Sequence, residues 1–141
     1  YRRKCVYKLH YRKVFVHSIT LNFLVNSHNK VGAVGFFPKW SSFMSPVKLI
    51  KFDEDTSLPL RGSDGFYQVC KAGESGLLIG KMDPQNQSSG FVGYLNENDI
   101  EKKILRNVVK IGDAYVNSGD ILVQDDSGYF YFTDRAGDTF R

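Results

Sequence analysis

The chain has 141 residues, 19 Lys plus Arg against 15 Asp plus Glu, and a formal net charge of +4, a length that suits one domain. With 42% hydrophobic and 14% aromatic residues it holds ample apolar side chain for a core, which excludes a disordered chain. Two cysteines, Cys5 and Cys70, stand 65 positions apart, which excludes a disulfide scaffold and a zinc knuckle and fits reduced thiols.

A sequence pI near 9.0 points toward an anionic partner only if the positive charge is spread over a folded surface. It is not. Residues 1 to 20 hold Arg2, Arg3, Lys4, Lys8, Arg12 and Lys13 and no acid. Removing these six from the 19 positives leaves 13 against 15 acids, a net charge of −2 for the rest. The basic stretch interleaves Tyr1, Val6, Tyr7, Tyr11, Val14, Phe15 and Val16, the composition of an arm that could lie on RNA or on anionic lipid. A solvated tail explains the same residues, and without a base-reading motif no nucleic-acid partner is expected. The apolar region from Val14 to Val25 is broken by His17, Ser18, Thr20 and Asn22 and falls short of the roughly 20 apolar residues a membrane span needs. No transmembrane helix and no secretion signal are expected.

From Val31 onward short extended runs are divided by turn residues. Residues 47 to 53 roughly alternate, and residues 66 to 71 follow the turn at 61 to 65; both read as strands. Residues 77 to 82 form a third candidate, residues 84 to 90 a polar loop. Residues 96 to 109 break the pattern: Ile100, Ile104, Leu105 and Val108 fall at helical spacing with Asn96 or Asn98 available as N-cap, which predicts one short amphipathic helix. Residues 114 to 117, 121 to 124 and 129 to 133 are further strands, rich in β-branched and aromatic side chains. The last two flank Asp125-Asp-Ser-Gly128, a tight hairpin in which Gly supplies the positive φ. The expected fold is mainly β with one short helix, an antiparallel, barrel-like unit.

Gly73-Glu-Ser-Gly-Leu-Leu-Ile-Gly-Lys81 invites comparison with a phosphate loop, but three residues separate Gly76 and Gly80 where the motif needs four, and Met82 stands where Ser or Thr would hold magnesium. A turn followed by a strand is the better reading. His10, His17 and His28 lie outside any metal spacing, no metal ligand is assigned, and no Ser or Cys carries a nucleophile elbow, so no catalytic residue is assigned. The sharpest feature is Asp120, just after Gly119 at a strand edge, with Arg135 beyond the hairpin. One carboxylate can take two charge-assisted hydrogen bonds from vicinal hydroxyls, and the hairpin can return Arg135 and its forked donors to the same end of the sheet. Taken alone, these residues are better read as a turn acid and a strand-end salt bridge.

The stretch from Leu24 to Arg141 resembles the fatty acid transport proteins, or very-long-chain acyl-CoA synthetases, within the adenylate-forming, AMP-binding enzymes. The matching text is Val25-Asn26, Asn29-Lys-Val-Gly-Ala-Val-Gly35, Leu49-Ile-Lys-Phe-Asp53, Gly73-Glu-Ser-Gly-Leu-Leu78, Glu101-Lys-Lys-Ile-Leu-Arg106, Gly112-Asp113 and Tyr115-Val-Asn-Ser-Gly-Asp-Ile-Leu-Val-Gln-Asp125. It ends in Tyr131-Phe-Thr-Asp-Arg-Ala-Gly-Asp-Thr-Phe-Arg141, the most subfamily-specific piece.

The resemblance implies that Asp120 and Arg135 contact the ribose of ATP and of the acyl-adenylate, and that Gly137 and Asp138 lie at the hinge between the large and small domains. It implies a long-chain fatty acid-CoA ligase with ATP, CoA and Mg2+ as substrates and cofactor, a fatty acid as partner, and association with endoplasmic reticulum, peroxisomal or plasma membranes. Residues 22 to 136 would then be the last, barrel-like subdomain of the large domain, residues 137 to 141 the start of the hinge, and residues 1 to 21 a non-matching segment from intron or frame-shifted sequence. Before Asn22 the family carries a Tyr-Gly-Ala-Thr-Glu-Gly motif whose Glu helps hold magnesium, where this chain has Phe15-Val-His-Ser-Ile-Thr-Leu21, and Ser118 replaces the commoner Thr. A fragment that is inactive alone is expected. The alternatives are a small β-barrel binding module with a basic arm for RNA or anionic lipid, and a non-catalytic interaction remnant.

Overall fold

In the computed structural model, which describes residues 28–82 and 101–136, the apolar runs at 47 to 50 and 77 to 80 lie side by side in an antiparallel sheet. Those runs do not alternate because they are covered on both faces, as for strands buried on two sides. The strands are β1 (Ala33–Phe36), β2 (Val47–Ile50), β3 (Ser75–Lys81), β4 (Ile104–Arg106), β5 (Ala114–Gln124) and β6 (Tyr129–Arg135), with a 3-10 helix at Lys39–Met44 between β1 and β2. The path across the sheet is β1-β6-β5-β3-β2, and β4 also pairs with β5. Register shifts in β1, in β5 and in β6 bend and twist the strands, and the sheet curls as half a barrel. Mainly β with one short helical turn among the described residues, this is the expected fold class.

Successive side chains of a strand point to opposite faces, and the core divides accordingly. Val47, Leu49, Leu78, Leu122 and Phe130 form one buried cluster, with Val34, Phe37 and Cys70 against it. Ile50, Leu77, Ile79, Val108, Tyr115 and Ile121 form the other, flanked by Phe52, Tyr67, Leu105 and Ala136. Burial and the neighbouring Glu74 carboxylate push the Cys70 thiol up to about 11, so at neutral pH it stays protonated. The turn at residues 71 to 74, with Gly73 at φ +83, leads into β3, so the glycine-rich run is a turn and strand and not a phosphate loop.

Two expectations change. Residues 66 to 71 join their neighbours through separate backbone hydrogen bonds and isolated bridges, Tyr67 with Arg61 and Val69 with Ile50, and form no continuous strand. The helix expected over residues 96 to 109 does not extend through its second half: residues 96 to 100 lie outside the described residues, Glu101 is helical, and Ile104, Leu105 and Arg106 pair with Val116, Tyr115 and Ala114 of β5. Strand pairing and burial override the local period, as they commonly do for short β-branched runs. Asn107 then adopts φ +54, which Asn tolerates better than most residues, and the chain turns so that Val108 enters the core fully buried.

The segments 1 to 21 and 137 to 141, expected to be a foreign stretch and a hinge, lie outside the described residues. Among the described residues no helix is long and apolar enough to cross a membrane.

Candidate functional site

β5 is interrupted at its middle. Ile79 of β3 stands opposite Asn117 and Leu77 opposite Ile121, so Ser118, Gly119 and Asp120 together face the single residue Leu78, a bulge of the kind that re-aims side chains at sheet edges and sites. Gly119 takes φ +78, a conformation open to Gly because it has no Cβ. Side chains replace the missing ladder bonds. The Ser118 hydroxyl donates to the Leu78 carbonyl at 2.8 Å and accepts the Asp120 N–H at 3.1 Å, while Asn117 Oδ1 accepts the Gly119 N–H at 3.0 Å.

The opposite edge of β5 changes partner at the same place. β4 pairs with β5 up to Val116, and β6 begins its pairing at Asp120. Between them the Lys103 carbonyl accepts the Asn117 N–H at 2.8 Å, and the Gly119 carbonyl accepts the Ala136 N–H at 2.8 Å. The edge of β5 therefore passes from β4 to β6 across residues 117 to 119, and Asp120 is the first residue on the β6 side.

Asp120 is directly opposite Arg135, whose Nε donates to Oδ1 at 3.2 Å. Their side chains are 19% and 44% exposed, a half-buried carboxylate beside a guanidinium that reaches solvent. Desolvation holds the Asp120 pKa above its ordinary value, with the charge and hydrogen bond of Arg135 and the charge of Lys103 acting in the other direction. An ionised carboxylate can accept more than the one bond Arg135 supplies, so the pair can receive a polyhydroxylated ligand at this edge.

The hairpin that brings the two together is held from within. Asp125 Oδ1 accepts the N–H groups of Ser127, Gly128 and Tyr129, each at 2.9 Å, and Oδ2 accepts the Tyr131 hydroxyl at 3.0 Å. The strand register thus sets Arg135, at the end of β6, opposite Asp120 at the bulge of β5. Gly137 and Asp138 lie outside the described residues, as does the basic segment 1 to 20.

Sequence reasoning gave no role to Ser118, Asn117 or Asp113. A Gly inside a strand pattern is a signal for a bulge, and Asn117-Ser118-Gly119 carries that signal, but which backbone groups the side chains satisfy depends on β3. The Asp113 carboxylate, 7% exposed, accepts the N–H groups of Val108, Val109 and Lys110 at 2.5, 3.1 and 3.1 Å and closes the turn that seats β4 on β5. Among the described residues no group of three His, Cys, Asp or Glu could hold a metal ion.

No family model matches the chain. It is 43% identical over 118 residues to long-chain fatty acid transport protein 1 of Mus musculus, a match that takes in 84% of this chain and 18% of that protein. It is 41% identical over 119 residues to long-chain fatty acid transport protein 5 of Homo sapiens, with 84% and 17% covered. Among solved structures, a long-chain-fatty-acid-CoA ligase from Archaeoglobus fulgidus overlaps 64% of this chain and 14% of its own, with a TM-score of 0.41 and 20% identity. The chain therefore spans less than a fifth of the curated relatives it matches. By its sequence over that span, the chain belongs to the long-chain fatty acid transport protein (very-long-chain acyl-CoA synthetase) family.

Proposed function

We propose that this chain carries the ribose-holding end of the nucleotide site of an ATP-dependent long-chain or very-long-chain fatty acid-CoA ligase, an enzyme coupled to fatty acid uptake. The observation that carries the reading is the pairing of Asp120 with Arg135 at 3.2 Å beside the Gly119 bulge. Vicinal hydroxyls present two donors at the spacing of a carboxylate, and an ionised acceptor makes such bonds roughly twice as strong as neutral ones. Arg135 favours the ionised form of Asp120 against the desolvation that raises its pKa, and retains N–H donors for the sugar oxygens.

In this reaction class the fatty acid carboxylate attacks the α-phosphate of ATP, pyrophosphate leaves, and the thiol of CoA then displaces AMP from the acyl-adenylate. The same ribose is present in both steps, so Asp120 and Arg135 would hold the adenylate in place between them, which is catalysis by orientation. A divalent ion, when bound, would neutralise phosphate charge. The described residues hold no cluster suited to it, so no step is assigned to it here. Gly137 and Asp138 would form the hinge on which the small domain of such an enzyme turns, and the parent enzyme would associate with a membrane of the endoplasmic reticulum, the peroxisome or the cell surface. Alone, a chain that spans 18% of its relative would bind the nucleotide sugar weakly and form no thioester.

Titration of the 141-residue chain with AMP and with 2′,3′-dideoxy-AMP tests the reading. AMP should bind more tightly, and the difference should disappear in Asp120→Asn. Equal affinity for the two nucleotides would overturn it, and turnover of fatty acid, ATP and CoA above a blank would overturn the inactivity of the isolated chain.

A further inference from the structure

Leu78 is the β3 residue without a partner on β5: its neighbours Leu77 and Ile79 face Ile121 and Asn117. On its other side Leu78 faces Leu49 of β2, and the Leu49 carbonyl is taken by the Cys70 N–H at 2.8 Å on the far edge. The Leu78 carbonyl is thus left at the bulge, where leaving a buried acceptor unbonded is costly. The Ser118 hydroxyl meets it at 2.8 Å and, through its own oxygen, takes the Asp120 N–H at 3.1 Å. One hydroxyl, two residues earlier in the chain, therefore fastens the backbone of Asp120 to β3 at the point where β6 presents Arg135.

We propose that Ser118 is a positioning residue: its hydroxyl, bridging the Leu78 carbonyl and the Asp120 N–H, fixes the direction in which the Asp120 carboxylate meets Arg135 and a nucleotide ribose. For the ribose, the inference rests on the reading above; for the aim of the carboxylate at Arg135, it stands by itself. Any side chain at 118 with a hydroxyl on its β carbon can make both bonds, so Thr should serve and the isosteric Val should not. The Asn117 side chain accepts the Gly119 N–H at 3.0 Å and does not substitute for it.

The test uses the 141-residue chain and its variants Ser118→Thr, Ser118→Val and Ser118→Ala, with two readouts. The first is the Arg135 Nε–H resonance, which should sit downfield in the parent and titrate with Asp120, persist in Ser118→Thr, and move to the position of a free guanidinium in the other two. The second is AMP affinity, which should be kept in Ser118→Thr and fall about tenfold in Ser118→Val and Ser118→Ala, the loss expected for a misaimed charge-assisted hydrogen bond. An unchanged Nε–H in folded Ser118→Ala or Ser118→Val, or its loss in Ser118→Thr, overturns the proposal. If the Nε–H behaves as expected while Asp120→Asn leaves AMP binding unchanged, the ribose reading fails and the positioning role stands. Should neither Ala nor Val fold, amide exchange in the parent decides: slow exchange at Asp120, as in the ladder, supports the bridge, and loop-like exchange overturns it.

Discussion

The Asp120 carboxylate costs the fold stability where it stands. Its pKa is held above the ordinary aspartate value by desolvation, against the pull of Arg135 and Lys103. A raised carboxyl pKa means that the folded state binds the proton more tightly than the unfolded chain, so its stabilising contribution is complete below the unfolded pKa and is lost as pH rises through the folded one. Asp120→Asn, neutral at every pH, should therefore be slightly more stable than the parent at pH 7, by up to about 1 kcal/mol, with the gain vanishing below about pH 4. Thermal melts at both pH values check this, and a variant less stable than the parent at pH 7 would count against it. The same variant should bind AMP about ten- to hundredfold more weakly, so this residue would trade stability for binding. Asp113 is the opposite case, a carboxylate whose three backbone N–H partners serve the fold. Asp113→Ala leaves those donors unmet and should lower stability by about 2 to 3 kcal/mol, measurable as a shift of the urea midpoint. A loss under about 0.5 kcal/mol would show that water replaces the carboxylate.

At the scale of elements, β5 organises the rest. It pairs with β3 along one edge and with β4 and then β6 along the other, and its central bulge falls where the second edge changes hands. The β5–β6 hairpin is tied to β1 through Gly128, whose carbonyl accepts the Phe37 N–H at 2.9 Å. Gly128 has φ +102, and a Cβ there would overlap the Phe37 carbonyl oxygen. Both the conformation and the space exclude a side chain, so Gly128→Ala should destabilise by about 2 to 4 kcal/mol, more than a change in an open turn. Gly65, also at positive φ but with open space around it, is the control: Gly65→Ala should cost about 1 kcal/mol. Equal losses for the two, read from denaturant unfolding, would show that the β1 contact is not a constraint. The hairpin was legible in residues 125 to 128 because Asp and Gly act on their own backbone. β4 was not, because its pairing is to residues eight to twelve positions away.

Across the whole molecule, the 3-10 helix at Lys39–Met44 presents Trp40, Phe43 and Met44 at 83, 78 and 70% exposure. An apolar group of that size on one turn favours association, in a chain that covers 18% of its relative. The 141-residue chain should self-associate at micromolar concentration, and the double variant Trp40→Ser, Phe43→Ser should sediment as a monomer with its melting temperature unchanged; a monomeric parent would contradict this. The overall charge also takes a different meaning at this scale, since the +6 of residues 1 to 20 lies outside the described residues and the candidate site rests on a single carboxylate and guanidinium. From its sequence alone the chain was readable as antiparallel β, with the 125–128 hairpin, the strand at 77 to 82, Asp120 and Arg135 as a pair worth watching, and a family. Turn preferences, apolar runs and motif text are properties of a few neighbouring residues, and they survive in any context. Tertiary structure alone decided that residues 104 to 106 are a strand, that Ser118 and Asn117 replace ladder bonds, that Asp113 clamps a buried turn, and that Asp120 faces Arg135. Those features depend on which backbone groups another strand leaves unpaired and on the exclusion of water when it docks, and neither is written in local sequence.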